Sequence, residues 1–85
     1  MLNYDLVSDT VKDSLARYVE HRIETGGFLR AVLENNLKEA CGRADEQNQA
    51  TLFHIVGYIY NELPSVAWGS PEKVRQWLNR DRQPA

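Results

Sequence analysis

The stretch from residue 45 to residue 64, DEQNQATLFHIVGYIYNELP, decides the fold class. Its apolar side chains recur at the spacing of one helical face: Leu52, Ile55, Val56, Ile59, Tyr60 and Leu63. Asp45 is a good N-cap residue, and Pro64 ends the pattern because the residue before a proline disfavours helix. A strand over residues 53–60 is the competing interpretation, but neither alternation nor a hairpin turn accompanies it. The stretch therefore predicts a helix, and its apolar content predicts that this helix is the central and most buried one.

A first helix is predicted upstream of this stretch. Thr10, with Asp13 three residues later, resembles a capping box. Gly26-Gly27 is predicted to end the helix, because glycine accepts the left-handed conformation of a helix terminus. The predicted inward face comprises Val11, Leu15, Tyr18, Val19, Arg22 and Ile23.

A second helix is predicted to follow at once, from Phe28 until Gly42. Its apolar stripe comprises Phe28, Leu29, Val32, Leu33, Leu37, Ala40 and Cys41. The i, i+4 spacing predicts ion pairs of Glu34 with both Arg30 and Lys38 on the same helix.

Ser70-Pro71-Glu72 marks the start of a last helix, with a serine N-cap, proline at the first position and an acid in the first turn. Its apolar residues are Val74, Trp77 and Leu78. These segments predict an all-α fold, a compact bundle of about four short helices. A leader over residues 1–9 and a polar tail over residues 80–85 flank a single helical domain at 10–79.

The composition excludes several classes of protein. A chain of 85 residues with a formal charge of −2 is not a strongly basic nucleic-acid-binding protein. A lone cysteine, Cys41, forms neither an intramolecular disulfide nor a CxxC metal site, which favours the reducing cytoplasm. The longest apolar stretch, 52–60, is far shorter than the ~20 residues that a membrane span needs. So small a domain buries about 64% of its unfolded surface, so we expect a homo-oligomer to supply further burial.

The turn between the first two helices is one candidate ligand-binding site. Gly26 and Gly27 lead into a helix start, where free backbone N–H groups and the helix dipole attract an anion, and Arg30 lies one turn further on. The alternative interpretation is a plain corner between two helices that requires two glycines. The pair alone is a weak signal, because no strand of a phosphate-binding fold precedes it.

Basic residues near two helix ends are further candidates. Arg43, followed by Asn48, offers a planar fork for a carboxylate or phosphate. The alternative is that Asp45 caps the third helix while Arg43 either pairs with a nearby carboxylate or covers a helix C-terminus. Arg75 belongs to a basic cluster near the end of the chain, which comprises Lys73, Arg75, Arg80 and Arg82 against Asp81.

Aromatic residues around the last loop form the third candidate site. Tyr60, Asn61 and Trp68 are suited to a stacking and hydrogen-bonding platform for a base or a partner side chain. The alternative is that the tryptophans fill the end of a small core. We expect Trp77 to do so and leave both interpretations open for Trp68.

Catalytic and metal-binding patterns are weak. We expect His54 to be a partly buried, hydrogen-bonded histidine, His21 to be exposed near a helix end, and Cys41 to be packed and inert. Neither histidine has the spacing of a zinc site, and no cofactor motif is present. The helix after the second glycine turn opens with the acidic residues Asp45 and Glu46, which disfavours binding to duplex DNA. The sequence therefore favours a binding protein over an enzyme.

Several of these motifs together resemble a widespread family of short phage and prophage proteins. The resemblance spans residues 10–78 and rests on GGFLRAVL at 26–33, RAD at 43–45, Asn48, IYN at 59–61 and WGSPE at 68–72. An aspartate that the family usually carries is Asn36 here.

The resemblance implies a phage setting and location in the host cytoplasm. Short phage proteins often neutralise host defences stoichiometrically, so we expect either a protein that sequesters a cyclic nucleotide signal or an inhibitor that binds a host defence protein directly. The candidate ligand-binding residues are Gly26, Gly27, Arg30, Arg43, Asn48, Tyr60, Asn61, Trp68 and Arg75.

Overall fold

The computed structural model describes residues 2–80, and within them it contains five α-helices and no strand. The helices are α1 (Asp9–His21), α2 (Gly27–Leu33), α3 (Leu37–Arg43), α4 (Glu46–Glu62) and α5 (Pro71–Asn79). Two short 3-10 turns, Tyr4–Leu6 and Ser65–Ala67, precede α1 and α5. The predicted all-α fold is therefore confirmed. Residues 81–85 of the predicted tail, and with them Arg82 and Asp81 of the basic cluster, lie outside the described residues.

The predicted starts of α4 and α5 are confirmed by their caps. The Asp45 carboxylate accepts a hydrogen bond of 2.7 Å from the backbone N–H of Asn48. Ser70 Oγ accepts one of 3.1 Å from the backbone N–H of Lys73, and Pro71 is the first helical residue. Both caps satisfy N–H groups that have no partner inside the helix.

Both predicted ends of α1 are wrong. Ser8, not Thr10, is the N-cap, and its hydroxyl accepts from the backbone N–H of Val11. The helix ends at His21 because Arg22 adopts the left-handed conformation with φ 57°, well before Gly26-Gly27. Ile23, which the helical face placed inward, is 48% exposed as a result.

The predicted second helix is divided into α2 and α3. Asn35 takes a left-handed φ of 62°, and the side chain of Asn36 then caps α3 by accepting from the backbone N–H of Glu39 at 3.3 Å. The break rotates the apolar stripe, so Leu37 and Cys41 face solvent and the prediction of a packed Cys41 is wrong. Gly42 lies inside α3 and does not end it.

Fifteen hydrophobic residues form the core: Val7, Val11, Leu15, Tyr18, Phe28, Leu29, Ala31, Leu33, Ala40, Ile55, Ile59, Ala67, Val74, Trp77 and Leu78. Trp77 is buried, as predicted. The prediction that α4 is the most buried helix is wrong, since only Ile55 and Ile59 of its residues are buried. The core includes Val7, so the packed structure begins before the predicted leader ends.

Three long-range hydrogen bonds connect the elements that pack around this core. Tyr18 Oη donates to the carbonyl of Ala67 at 2.7 Å, and Trp77 Nε1 donates to the carbonyl of Tyr18 at 3.0 Å. The backbone N–H of Gly69 donates to the carbonyl of Leu33 at 2.7 Å. Helices α1, α2 and α5 are thereby fixed relative to one another, and they enclose the cleft described below. Among the described residues, no helix is both long and apolar enough to cross a bilayer.

Candidate functional site: an arginine cleft

An open cavity of about 350 Å³ lies where the end of α1, the start of α2 and the outer face of α5 meet. We call it the arginine cleft; its lining residues are Arg22, Ile23, Glu24, Arg30, Arg75, Leu78 and Asn79. Two of them, Arg30 and Arg75, are predicted site residues that lie far apart in the sequence. The fold brings them to one cavity because α5 packs against α2 and, through Trp77, against the end of α1.

Charge is concentrated in this cleft. Among residues 2–80, the lining of the cleft contains three arginines, Arg22, Arg30 and Arg75, and one carboxylate, Glu24, whereas the whole chain has a formal charge of −2. Low-dielectric walls around charges of one sign focus the local field and attract ions of the opposite sign. The cleft is therefore a basic feature on an acidic protein.

Arg30 is held from both sides by carboxylates. Its Nε pairs with Glu34 at 2.8 Å, which confirms the predicted ion pair, and its Nη1 pairs with Glu24. The second predicted pair, between Glu34 and Lys38, is lost because the break before α3 places Lys38 on another helix. The guanidinium of Arg30 is thus oriented before any ligand arrives, and such preorganisation reduces the entropy lost on binding.

Arg22 is fixed by an aromatic ring. Its guanidinium carbon lies 3.9 Å from the ring centroid of Trp77, and its Nη1 donates to the carbonyl of Val19. A cation over an indole face is stabilised by the ring quadrupole. The left-handed conformation of Arg22 therefore ends α1 and also directs this side chain over the core and toward the cleft.

Arg75 is the most accessible charge in the cleft. It is exposed on α5, and within residues 2–80 it makes no ion pair. An incoming anion meets Arg75 without having to displace a carboxylate from it.

Gly27, Arg30 and Arg43 meet in a neighbouring cavity of about 240 Å³. A Cβ on Gly27 would lie 2.9 Å from Nη1 of Arg43, so any other residue at this position would displace the exposed end of that side chain. Arg43 Nε pairs with Glu39 at 2.6 Å, as the alternative interpretation of Arg43 predicted. Because Glu34 and Glu39 balance the two arginines, this second cavity favours anions less than the arginine cleft does. A Cβ on Gly26 would meet no atom within 4 Å.

The remaining predicted residues lie elsewhere. Asn48 belongs to the capped first turn of α4. Tyr60 and Trp68 have ring centroids 5.7 Å apart, and half-buried Trp68 donates through Nε1 to the carbonyl of Leu63 at 3.3 Å. Burial raises the pKa of Tyr4, and a hydrogen bond with Asn61 partly offsets this rise.

The glycine turn and the Trp68 loop lie at opposite ends of α2. Gly69 bonds to Leu33 at the last turn, whereas Gly26 precedes the first, and a helical rise of about 1.5 Å per residue separates the two ends by about 9 Å. The predicted residues therefore form two groups, one basic and one aromatic.

Sequence reasoning missed Arg22 and Glu24. The helical pattern placed Arg22 on the inward face of a longer helix, and none of the candidate sites in the sequence included Glu24. The available signal was an arginine on an otherwise apolar face, which requires a specific partner, here the ring of Trp77.

Neither histidine contributes to the cleft lining, although His21 immediately precedes Arg22 in the chain. His54 is half-buried and accepts a hydrogen bond of 3.0 Å from the backbone N–H of Asn3, and His21 is exposed at the end of α1, both as predicted. Across residues 2–80 no three His, Cys, Asp or Glu side chains are grouped to hold a metal ion.

No protein-family model, curated protein or solved structure matches the chain. The resemblance to short phage proteins thus stays a prediction.

Proposed function

We propose that the protein is a non-enzymatic binding module that holds a phosphate-bearing ligand in the arginine cleft. The observation that supports this proposal is the convergence of Arg22, Arg30 and Arg75 on one cavity of an acidic chain. Arginine presents a planar fork of donors that matches phosphate oxygens, and such charge-assisted hydrogen bonds are the stronger ones. The cavity volume of about 350 Å³ lies within the range of small-molecule sites.

A nucleotide suits the cleft better than inorganic phosphate does. Ile23 and Leu78 form an apolar wall against which a base can pack, and the amide of Asn79 supplies both a donor and an acceptor. The phosphate reaches Arg75 first and then competes with Glu24 for Arg30. Because Arg30 keeps its pair with Glu34, its guanidinium stays oriented during this exchange.

The groups that line the cleft support binding without turnover. Cys41 and both histidines are absent from the lining, and the one carboxylate that residues 2–80 contribute to it, Glu24, is paired with Arg30. Cyclic nucleotides are the first ligands to test, because the resemblance to phage proteins suggests sequestration of such a signal. The proposed role is then stoichiometric removal of the nucleotide from solution.

The test is isothermal titration calorimetry against cyclic dinucleotides, cyclic trinucleotides, linear mononucleotides and inorganic phosphate. We expect at least one nucleotide to bind with micromolar affinity or better and to be recovered unchanged by chromatography. Arg75→Ala should weaken that binding about 10-fold or more, since a hydrogen bond to a charged group contributes about 1.5–3 kcal/mol. Lys38→Ala is the matched control, because it removes the same charge from α3, away from the cleft.

Absence of binding across the panel would overturn the proposal, as would equal losses in Arg75→Ala and Lys38→Ala. Recovery of a hydrolysed nucleotide would instead contradict its non-enzymatic part.

A further inference from the structure

An apolar surface on the solvent side of α4 is largely uncovered within residues 2–80, although the ring of Tyr60 lies beside Trp68. Phe53, Val56 and Tyr60 are 63%, 40% and 69% exposed, and Leu37 at the start of α3 is 59% exposed. Their i, i+3 and i+7 spacing places the three α4 residues on one side of the helix, and Leu37 lines a cavity with Val56. We call these four residues the α4 face.

The α4 face also lacks charge. From Gln47 to Asn61, fifteen consecutive residues include no Asp, Glu, Lys or Arg, although 26% of the chain is charged. The solvent side of a surface helix normally carries charged residues, as α1 does at Asp13, Arg17 and Glu20. A contiguous apolar patch without charge marks an interaction surface.

The α4 face contains both projecting aromatic side chains and a cavity. Phe53 and Tyr60 project from the helix, and beside them lies a cavity of about 170 Å³ lined by Val32, Asn35, Asn36, Leu37 and Val56. In a dimer with two-fold symmetry the same patch of both copies is in contact. The projecting side chains of each copy then lie against the cavity of the other. An uncharged patch also meets its own copy without like-charge repulsion.

We propose that the α4 face docks onto the α4 face of a second copy of this chain. The two α4 helices run antiparallel, and Phe53 of each copy enters the cavity next to Leu37 of the other. The contact strip follows the charge-free stretch of α4 from Gln47 to Asn61, about 21 Å long, and is two helix diameters, about 20 Å, wide. It buries about 400 Å² per copy, and the resulting total of about 800 Å² is the size of a weak, reversible interface.

The test is sedimentation velocity of the full chain between about 1 and 500 µM, with light scattering to give the mass. An interface of this size predicts a monomer–dimer equilibrium in the micromolar range. Phe53→Glu and Leu37→Glu should each raise the dimer Kd about 30-fold or more, the effect of losing one hot-spot residue. Both side chains are exposed, so circular dichroism should show an unchanged helical fold.

Two further variants make the test specific. Val66→Glu is the matched control, since Val66 is 54% exposed but lies outside the α4 face, and it should leave the Kd unchanged. Phe53→Lys combined with Leu37→Glu on one chain should restore dimerisation relative to either single change, because each lysine then meets the glutamate of the partner.

A wild-type chain that stays monomeric at 500 µM would overturn the proposal, even if it binds a different protein. A dimer that tolerates both glutamate substitutions would place the interface elsewhere and overturn it equally. The proposal does not depend on nucleotide binding, because Arg75 lies outside the α4 face; Arg75→Ala should dimerise like the wild type.

Discussion

The indole Nε1 of Trp77 donates a hydrogen bond of 3.0 Å to the carbonyl of Tyr18, 59 residues earlier in the chain. That carbonyl lies in the last turn of α1, where helix carbonyls lack partners within the helix. The same indole ring lies beneath the guanidinium of Arg22. One side chain of α5 therefore satisfies the end of α1 and orients an arginine of the cleft.

We predict that Trp77→Phe lowers the free energy of unfolding by about 2–3 kcal/mol. The substitution leaves the buried carbonyl of Tyr18 without a partner and reduces the volume of a core side chain. Urea denaturation followed by circular dichroism measures the change. Trp68→Phe is the control; its 3.3 Å hydrogen bond to Leu63 is half-exposed, so its loss should cost under about 1 kcal/mol. Equal losses would contradict the role assigned to Trp77.

The buried hydroxyl of Tyr18 is expected to make the stability of the fold depend on pH in the alkaline range. Burial raises the pKa of Tyr18 to about 12, with smaller opposing effects from Arg30 and Arg22. Because the folded pKa lies above the unfolded value of about 10, the contribution is fully present below pH 10 and is lost as the pH rises toward 12. We expect a loss of about 1–2 kcal/mol over this window after allowance for solvent screening.

Unfolding of the wild type and of Tyr18→Phe at several pH values between 8 and 12 measures this effect. The variant should be less stable at pH 8, because the carbonyl of Ala67 loses its donor. Its stability should then fall less steeply than that of the wild type. Parallel curves for the two proteins would show that Tyr18 does not carry the dependence.

The cap of α3 gives a third prediction. Asn36→Ala should cost about 1 kcal/mol, since it removes the acceptor for the backbone N–H of Glu39, and should lower Tm by about 4–8 °C. Asn36→Asp should stay within about 0.5 kcal/mol of the wild type, because aspartate caps as well as asparagine. Differential scanning calorimetry of both variants distinguishes a cap from a residue whose amide is specifically required.

Substitution of Gly57 is predicted to stabilise the protein, in contrast to the substitutions above. It lies inside α4, where glycine costs about 1 kcal/mol relative to alanine. The atoms nearest to an added Cβ belong to the end of the Leu2 side chain, which is 37% exposed and can move into solvent. Gly57→Ala should therefore raise the free energy of unfolding by about 0.5–1 kcal/mol, measured by urea denaturation. A destabilised variant would mean that the contact of Leu2 with α4 contributes more than the helix propensity of alanine.

Local chemistry made parts of the fold predictable. The caps at Asp45 and Ser70 and the stop at Pro64 depend on residues within one turn of the helix end, so the sequence contains the whole signal. The C-terminal end of α1 and the break at Asn35 escape such local signals because non-glycine residues take the left-handed conformation there. At Arg22 the stack on Trp77, far away in sequence, accompanies that conformation. The N-terminal end of α1 differs from the prediction because Ser8, not Thr10, provides the cap.

The candidate site was predictable only in part, because it also depends on contacts between residues that are far apart in the sequence. Arg30 and Arg75 were identified as basic residues near helix ends, but their meeting in one cleft depends on how α5 packs against α1. The overestimate of burial for α4 has another cause. Periodicity identifies an apolar face but does not tell whether the chain itself or another molecule covers it, and Phe53 and Tyr60 stay uncovered.

The pairing of Tyr18 with Trp77 also constrains how the protein is made. A ribosome adding about 5–20 residues per second takes about 3–12 s to synthesise the 59 residues between them. During that interval α5 has not yet been made, so no later helix closes over the inward face of α1. The hydrogen bond between Tyr18 and Trp77 therefore forms late in synthesis, and α1 gains its packed surroundings only when α5 is present.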